Sequence, residues 1–159
     1  MTTFVQLNQG WNADPNAPEP TVLVDGSTVL VSFGVNAFQF AQFAEGDRAV
    51  LRFEDCQRYR LGATNDEGWY SGKCRFSRLA PAWGEFFHVS GDSSLLLEPS
   101  DWVFVAPSSM DEPHQHYLFY FKDGTFECVA SKWAVQLPAS LSIEPTRIGR
   151  PQISAQLQR

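Results

Sequence analysis

The chain has 159 residues, of which 18 are acidic and 12 are basic, giving a formal net charge of −6. One domain is the expected organisation at this length, and such a chain can bury about two-thirds of the surface that its unfolded form exposes. Aromatic residues make up 14% of the sequence, which is typical of a folded chain and argues against disorder. Because phosphate binding needs clustered bases, the acidic balance argues against a nucleic-acid partner.

The charges are unevenly distributed along the chain. Residues 48–78 contain seven basic and four acidic residues, whereas residues 79–127 contain eight acidic residues and one base, Lys122. Two solvated faces of opposite sign are the simpler interpretation. The alternative is a bipolar surface that steers a charged partner.

Cysteine usage and the absence of targeting segments bear on localisation. Cys56, Cys74 and Cys128 are widely spaced and form no CxxC or Cys/His zinc pattern. The first residues carry neither a basic stretch nor an apolar core, so no signal peptide is predicted. No uncharged apolar run approaches the ~18 residues of a membrane-spanning helix. These features favour a cytoplasmic protein with reduced thiols and no membrane partner, with a mature secreted form as the alternative.

The N-terminal third is predicted to form three strands. Phe4–Leu7 alternates and opens a sheet, and a proline-containing loop follows over residues 8–20, pinned to the body of the protein by Trp11. Strands at Thr21–Val24 and Thr28–Phe33 then flank an Asp-Gly turn signal. With Gly and Ser at the centre of the turn, the register pairs valine with valine: Val24 with Val29, and Val22 with Val31.

The strongest hairpin signal joins Tyr117–Lys122 to Thr125–Ala130 through a two-residue Asp123-Gly124 turn, for which type I′ is expected. The predicted register places Phe121 opposite Phe126. One face then carries residues typical of a core: Tyr117, Phe119, Phe121, Phe126, Cys128 and Ala130. The other face is mixed: His116, Leu118, Tyr120, Glu127 and Val129. Cys128 is therefore interpreted as a small buried hydrophobe and not as a nucleophile.

The remaining pattern completes an all-β prediction. Phe38–Phe43 fits either a strand or a short helix, with Asn36 as its cap and Gly46 at its end. About nine strands and at most one or two short helices predict an antiparallel sandwich or a strongly bent barrel. The β domain is expected to span residues 1–133, followed by an extended or partly disordered tail over residues 134–159. Five further strands are predicted: Arg48–Leu61, Trp69–Phe76, Phe86–Val89, Leu95–Leu97 and Trp102–Val105.

The segment His114-Gln115-His116 has a spacing found in metal sites. Alternate residues of a strand project from one face, so the two imidazoles could share an ion. The pair resembles the first motif of the cupin family of β-barrels, which contains a His-x-His. The sequence departs from that motif, because the family has a Glu four or five residues after the second His, where this chain has Tyr120 and Phe121. The family's second motif is missing as well, so no metal is assigned, and His114 and His116 stay subsidiary candidates.

Motifs of other enzyme classes are missing from the sequence. It contains no Gly-x-Ser-x-Gly elbow, no P-loop and no dinucleotide-binding glycine pattern. The sequence therefore favours a non-enzymatic protein without a cofactor.

Residues 65–92 form an aromatic–polar segment in which Trp, Tyr and Phe alternate with charged residues and glycines. A ligand cleft needs aromatic walls with a few polar anchors, and protein interfaces are enriched in Trp, Tyr and Arg. The alternative is that the large aromatic residues of this segment are core. The candidate binding residues are Trp69, Tyr70, Trp83, Glu85 and His88.

Three stretches of the sequence resemble a group of small bacterial proteins that are themselves uncharacterised. They are GWNADPNAP, DEGWY…WGEFF…SGD and HYLFYFKDGTFECVASKW, and the resemblance extends as far as Trp133. It implies a bacterial cytoplasmic origin and no particular activity or cofactor. In size and charge the chain is also similar to immunity proteins of bacterial toxin systems, although such likeness is a poor guide to function.

Three functions follow as hypotheses. The first is a non-enzymatic binding protein that presents Trp69, Tyr70, Trp83 and Glu85 to a protein partner. The second is a small-ligand-binding sandwich or barrel, with the ligand among the aromatic residues. The third is a metal-dependent enzyme of cupin-like type. An exposed tryptophan cluster and a proline-rich tail are also compatible with a homodimer.

Overall fold

The computed structural model describes residues 1–63, 66–91, 100–105 and 113–139. These residues form ten strands and one five-residue helix, which confirms the all-β prediction. The elements are β1 (Thr3–Gln6), β2 (Thr21–Asp25), β3 (Thr28–Gly34), β4 (Arg48–Glu54), β5 (Arg58–Gly62), α1 (Asp66–Tyr70), β6 (Phe86–Ser90), β7 (Val103–Phe104), β8 (Gln115–Phe121), β9 (Gly124–Ala130) and β10 (Lys132–Gln136).

Two antiparallel sheets pack face to face in a sandwich-like arrangement. The larger sheet has the strand order β1-β6-β8-β9-β5-β7, and the smaller has the order β10-β4-β3-β2. The main core lies between them and is rich in phenylalanine, because the inward positions of β3 and β4 meet those of β8 and β9. The rings of Phe33 and Phe119, one from each sheet, are 5.1 Å apart in an edge-on contact. Trp11 is also buried in this core and anchors the proline-containing loop, as predicted.

A second apolar cluster covers the outer face of the larger sheet. Helix α1 and the chain that follows it lie over that face, and their Trp69, Cys74 and Phe76 pack against Leu118 and Tyr120 of β8. We call residues 66–83 the outer layer. Because the sheet is buried on both faces, β8 and β9 are buried along almost their whole length.

The first hairpin has the predicted register. Val22 lies opposite Val31 and Val24 opposite Val29, with Gly26 and Ser27 in the turn. Gly26 has a φ of 63°, the positive value that a type II′ turn requires at its first central position.

The second hairpin differs from its predicted register by two residues. Phe121 pairs with Gly124, and Phe119 with Phe126, so the turn consists of Lys122 and Asp123. Neither of these residues has the positive φ of a type I′ turn. A Cβ placed on Gly124 would lie 3.3 Å from the carbonyl oxygen of Gly62, so this glycine permits close packing of β9 on β5. A shift of two residues preserves the alternation, and the predicted core face is confirmed.

The long strand predicted over Arg48–Leu61 is wrong. The chain bends at Asp55, which has a φ of 53°, and passes from β4 in the smaller sheet to β5 in the larger one. The strand predicted over Trp69–Phe76 is also wrong, because α1 and a series of turns occupy it. The segment Phe38–Phe43, for which a strand and a short helix were both open, forms turns. The Asn36 side chain accepts hydrogen bonds from two backbone amides at its start, as a cap does.

The last described strand, β10, extends beyond residue 133, where the tail was predicted to follow. Strand β10 includes Ala134–Gln136, which the sequence analysis assigned to the tail, and residues 140–159 lie outside the described residues. The strand predicted at Leu95–Leu97 also lies outside them. Among the described residues, none of the helical structure is long and apolar enough to cross a membrane.

Candidate functional site

The structure brings together only part of the predicted binding surface. Trp69 is 7% exposed, and its ring lies 4.5 Å from that of Tyr120 and 5.9 Å from that of Trp83. Trp83 is half-buried against the same tyrosine. Tyr70, by contrast, is 77% exposed. The two tryptophans thus act mainly as packing for the outer layer.

Glu85 and His88 lie apart from that aromatic group. The carboxylate of Glu85 accepts hydrogen bonds from the side-chain amides of Asn8, at 2.5 Å, and Asn12, at 3.3 Å. It therefore ties the N-terminal loop to the start of β6. His88 pairs with Tyr117 on the opposite face of the sheet from Trp69, and burial lowers the pKa of its imidazole.

The two histidines of the His-x-His segment contact different carboxylates. The Nε2 atom of His116 lies 2.7 Å from Oε1 of Glu127, and that of His114 lies 3.3 Å from Oδ2 of Asp55. Within the described residues, no group of three His, Cys, Asp or Glu side chains is placed to hold a metal ion. The geometry of these residues gives no support to the cupin-like hypothesis.

A group of charged side chains, which we call the charge cluster, lies beside the aromatic group on the outer face of the larger sheet. Glu127 is at its centre and is completely buried. Its Oε2 atom lies 2.9 Å from Nη1 of Arg60 and 2.8 Å from Nε of Arg75. Arg60 also makes a two-pronged contact with Asp101, at 2.8 and 3.2 Å. The cluster consists of Arg60, Arg75, Asp101, His116 and Glu127.

Strand register and a glycine together assemble this cluster. Leu118, Glu127 and Arg60 are direct neighbours across β8, β9 and β5, so the glutamate and arginine share a face. A Cβ placed on Gly62 would lie 3.0 Å from a guanidinium nitrogen of Arg60, so the missing side chain leaves room for that group. Arg75 comes from the outer layer, and its contact with Glu127 completes the cluster.

The charge cluster keeps Glu127 ionised. Burial acts to raise the pKa of this carboxyl group, but hydrogen bonds from His116 and Arg75 outweigh that effect, and the pKa lies below its usual value. Tyr120 donates a hydrogen bond of 2.5 Å to the carbonyl oxygen of Arg75, and this bond fixes the outer layer next to the cluster. The cluster therefore joins the sheet to its outer layer.

Two donors beside the charge cluster have no acceptor among the residues that the structure describes. Nε of Arg58 and Nε1 of Trp102 are both buried, and neither has a hydrogen-bond partner within the described part of the chain. The Arg58 guanidinium lies 5.1 Å from the centre of the Trp102 ring, so the two donors belong to side chains in contact. A buried donor without an acceptor costs about 1–3 kcal/mol, and such groups call for an explanation.

Cys128 is not placed to form a catalytic pair with His116 of the charge cluster. Cys128 lies on the core face of β9, whereas His116 projects from the outer face of the same sheet. Burial raises the pKa of the Cys128 thiol well above its usual value, which disfavours the nucleophilic thiolate. The interpretation of Cys128 as a small buried hydrophobe agrees with this position.

A cleft of about 400 Å³ opens at one end of the sandwich. It is lined by residues 16–20 of the proline-containing loop, by residues 61–63 at the end of β5, and by Asp123 and Gly124. Its walls are mainly apolar, and of the described residues that line it two are acidic, Glu19 and Asp123, and none is basic. A volume of several hundred Å³ with apolar walls and few polar groups is typical of small-molecule sites.

The loop wall of the cleft is held in place by specific contacts. The backbone amide of Asp14 donates a hydrogen bond of 2.8 Å to the carbonyl oxygen of Gly34, and the amide of Gly34 donates one of 2.8 Å to the carbonyl oxygen of Pro18. Arg48 donates a hydrogen bond of 2.7 Å to the carbonyl oxygen of Glu19, whose φ is 42°. Positive φ is uncommon outside glycine, and strained residues of this kind occur often at binding sites. These contacts fix the loop wall to strands β3 and β4.

Neither the charge cluster nor the cleft is predicted as a site by the sequence patterns. Glu127 stood on the mixed face of the predicted hairpin, and its burial depends on the outer layer, which is remote in sequence. The available signal was the excess of bases over residues 48–78, which includes Arg58, Arg60 and Arg75. No protein-family model, curated protein or solved structure matches the chain, so its resemblance to the group of small bacterial proteins stays a prediction.

Proposed function

We propose that this protein is a non-enzymatic small-ligand-binding β-sandwich, with its ligand in the cleft at the end of the sandwich. The observation that carries the proposal is the cleft itself, with apolar walls from Pro18, Pro20 and Leu61 and two acidic side chains. Of the three functions inferred from the sequence, the other two rest on residues that here make internal contacts: Trp69 in the outer layer, and His114 and His116 with separate carboxylates.

The cleft favours a ligand with an apolar body and a cationic group. The apolar walls supply burial, at about 25 cal/mol per Å² of apolar surface removed from water. Glu19 and Asp123 are exposed, so each contributes at most about 1 kcal/mol to the binding of a cation. An amine would therefore bind more tightly than an alcohol or a carboxylate of the same shape.

A matched series of ligands tests this function. Hexylamine, hexanol and hexanoate share one apolar body and differ in charge. We expect hexylamine to shift the backbone amide signals of Gly62, Ala63 and Gly124 in NMR spectra at lower concentration than hexanol, and hexanoate to have the least effect. The double variant Glu19→Gln, Asp123→Asn should weaken hexylamine binding by roughly threefold to tenfold.

The control for charge removal is Glu45→Gln, an exposed acid that does not line the cleft. It should bind hexylamine as the unmodified protein does. Equal shifts by hexylamine and hexanoate would remove the role of the acidic side chains. An absence of shifts at the cleft for all three ligands would remove the proposed function.

We place this binding function in a reducing cytoplasm. In support, none of the three cysteines forms a disulfide, and all three are buried. Cell fractionation of the native host tests this placement, and recovery from the secreted fraction would contradict it.

A further inference from the structure

The charges around Arg58 do not balance within the described residues. On the outer face of the larger sheet, Arg58 lies near two other arginines, Arg60 and Arg75. Two carboxylates, those of Glu127 and Asp101, neutralise Arg60 and Arg75. The remaining cation, Arg58, makes no ion pair with a carboxylate in the described part of the chain.

The surroundings of Arg58 disfavour a positive charge that has no anionic partner. Its side chain lies on the same face as Val129 and Phe104, its direct neighbours on β9 and β7. Burial lowers the pKa of the Arg58 guanidinium, which means that the site disfavours the uncompensated charge. An anion at this position would relieve that penalty.

Trp102 adds a second, neutral donor to the same place. A cation–π contact engages the face of an indole ring and leaves its N–H, which lies in the plane of the ring, available. The Trp102 ring is held by Arg58 on one side, at 5.1 Å, and contacts the ring of His116 edge-on at 5.9 Å. Trp102 is therefore in contact with His116 of the charge cluster, in which Asp101 and Glu127 neutralise Arg60 and Arg75.

We propose that Arg58 and Trp102 form a binding site for an oxyanion, a carboxylate or phosphate group of a ligand, which accepts hydrogen bonds from Arg58 Nε and Trp102 Nε1. Arginine suits this role because its planar donors match the geometry of both groups. The site lies on the outer face of the larger sheet and shares no residue with the cleft, so it is independent of the proposed cation-binding function.

The indole N–H of Trp102 gives a direct measurement. The protein has five tryptophans, so a ¹H–¹⁵N spectrum contains five indole signals, and the variant Trp102→Phe identifies the one from Trp102. We expect titration with inorganic phosphate or with acetate, each to about 10 mM, to shift this signal downfield in a saturable way, since that concentration populates a site of millimolar affinity. A response to phosphate alone assigns a phosphate group, a response to acetate alone assigns a carboxylate, and a response to both assigns an oxyanion in general.

Two variants separate a specific site from a general salt effect. Arg58→Gln should weaken the response at least about tenfold, because it removes a charge-assisted hydrogen bond. Arg52→Gln removes a positive charge from the smaller sheet, where that arginine is paired with Glu54, and it should leave the response unchanged. The other four indole signals report whether each variant is folded.

Three results would overturn the proposal. The first is no shift of the Trp102 signal with either anion, and the second is an equal shift with sodium chloride at matched ionic strength. The third is an undiminished response in folded Arg58→Gln. If Arg58→Gln does not fold, Arg58→Lys replaces it, and weaker binding in that variant supports the site because lysine lacks the fixed fork of donors.

Discussion

Replacing Glu127 by glutamine is expected to lower the free energy of unfolding by about 3–5 kcal/mol. The substitution preserves size and shape but removes the buried negative charge that Arg60, Arg75 and His116 contact at 2.7 to 2.9 Å. Arg60 would keep its contact with Asp101, whereas Arg75 would lose its contact with the buried carboxylate. Breaking a buried ion pair costs more than the pair contributes, because the remaining charges stay desolvated. Urea unfolding of the two proteins at pH 7 measures the difference.

The lowered pKa of Glu127 determines how the difference in unfolding free energy between the two proteins depends on pH. The pKa of Glu127 in the folded protein lies below its usual value of 4.5, so the folded state binds its proton less readily than the unfolded state does. The stability that this group contributes is therefore fully present above pH 4.5 and is lost as the pH falls through the folded-state pKa. The gap between the unmodified protein and Glu127→Gln should be constant near neutrality and shrink on acidification below that value.

Asp101→Asn is the matched control for this prediction. Its carboxylate contacts the same arginine, but the side chain is 60% exposed, so the substitution should cost no more than about 1 kcal/mol. A loss for Glu127→Gln no greater than that for Asp101→Asn would show that the charge cluster is not desolvated. A gap that widens on acidification would contradict the assignment of an ionised Glu127.

Local patterns were enough to predict the strands that complete the core. In β2 and β3 each strand alternates, and the turn residues fix the register, so the valine pairing follows from the sequence alone. The core face of β8 and β9 was also predictable, because an error of two residues in register does not exchange the faces. The turn type was not, because Gly124 serves the packing of β9 on Gly62, a contact between residues distant in the chain.

The charge cluster could not be predicted from local patterns. A glutamate flanked by alternating apolar residues indicates a solvated face, and here the outer layer buries it. Within that layer Trp69–Phe76 was expected to be a strand, and α1 and the following turns were not recognised because their aromatic residues also favour strands. The change of sheet between β4 and β5 was missed for a similar reason, since the alternation continues on both sides of Asp55.

The two proposed sites carry charges of opposite sign, acidic at the cleft and basic beside Trp102. The described residues that line the cleft include two acids and no base, whereas Arg58, beside Trp102, makes no ion pair with an acid in the described part of the chain. The opposite charges inferred from residues 48–78 and 79–127 are therefore not simply two faces. Arginines of the first stretch and carboxylates of the second meet in the charge cluster, and Arg58 lies at its edge.

Trp69→Ala is expected to destabilise the protein by about 3–5 kcal/mol, the usual cost of removing a buried aromatic ring. The ring of Trp69 fills the space between Tyr120 and Trp83, and its loss would leave a cavity beneath the outer layer. Tyr70 follows it directly in α1 but is 77% exposed, so Tyr70→Ala should change the stability by no more than about 0.5 kcal/mol. Thermal and urea unfolding of the two variants make this comparison.

The comparison also decides between the two interpretations of the aromatic–polar segment. If Trp69 is packing, its alanine variant loses stability, and any loss of partner binding by that variant follows from damage to the outer layer. If Trp69→Ala is as stable as Tyr70→Ala, then the ring does not pack on Tyr120, and a protein-binding surface over Trp69 and Trp83 becomes the better explanation. Because both residues lie in the same five-residue helix, a difference between them cannot come from helix propensity alone, which differs by less than about 1 kcal/mol between such residues.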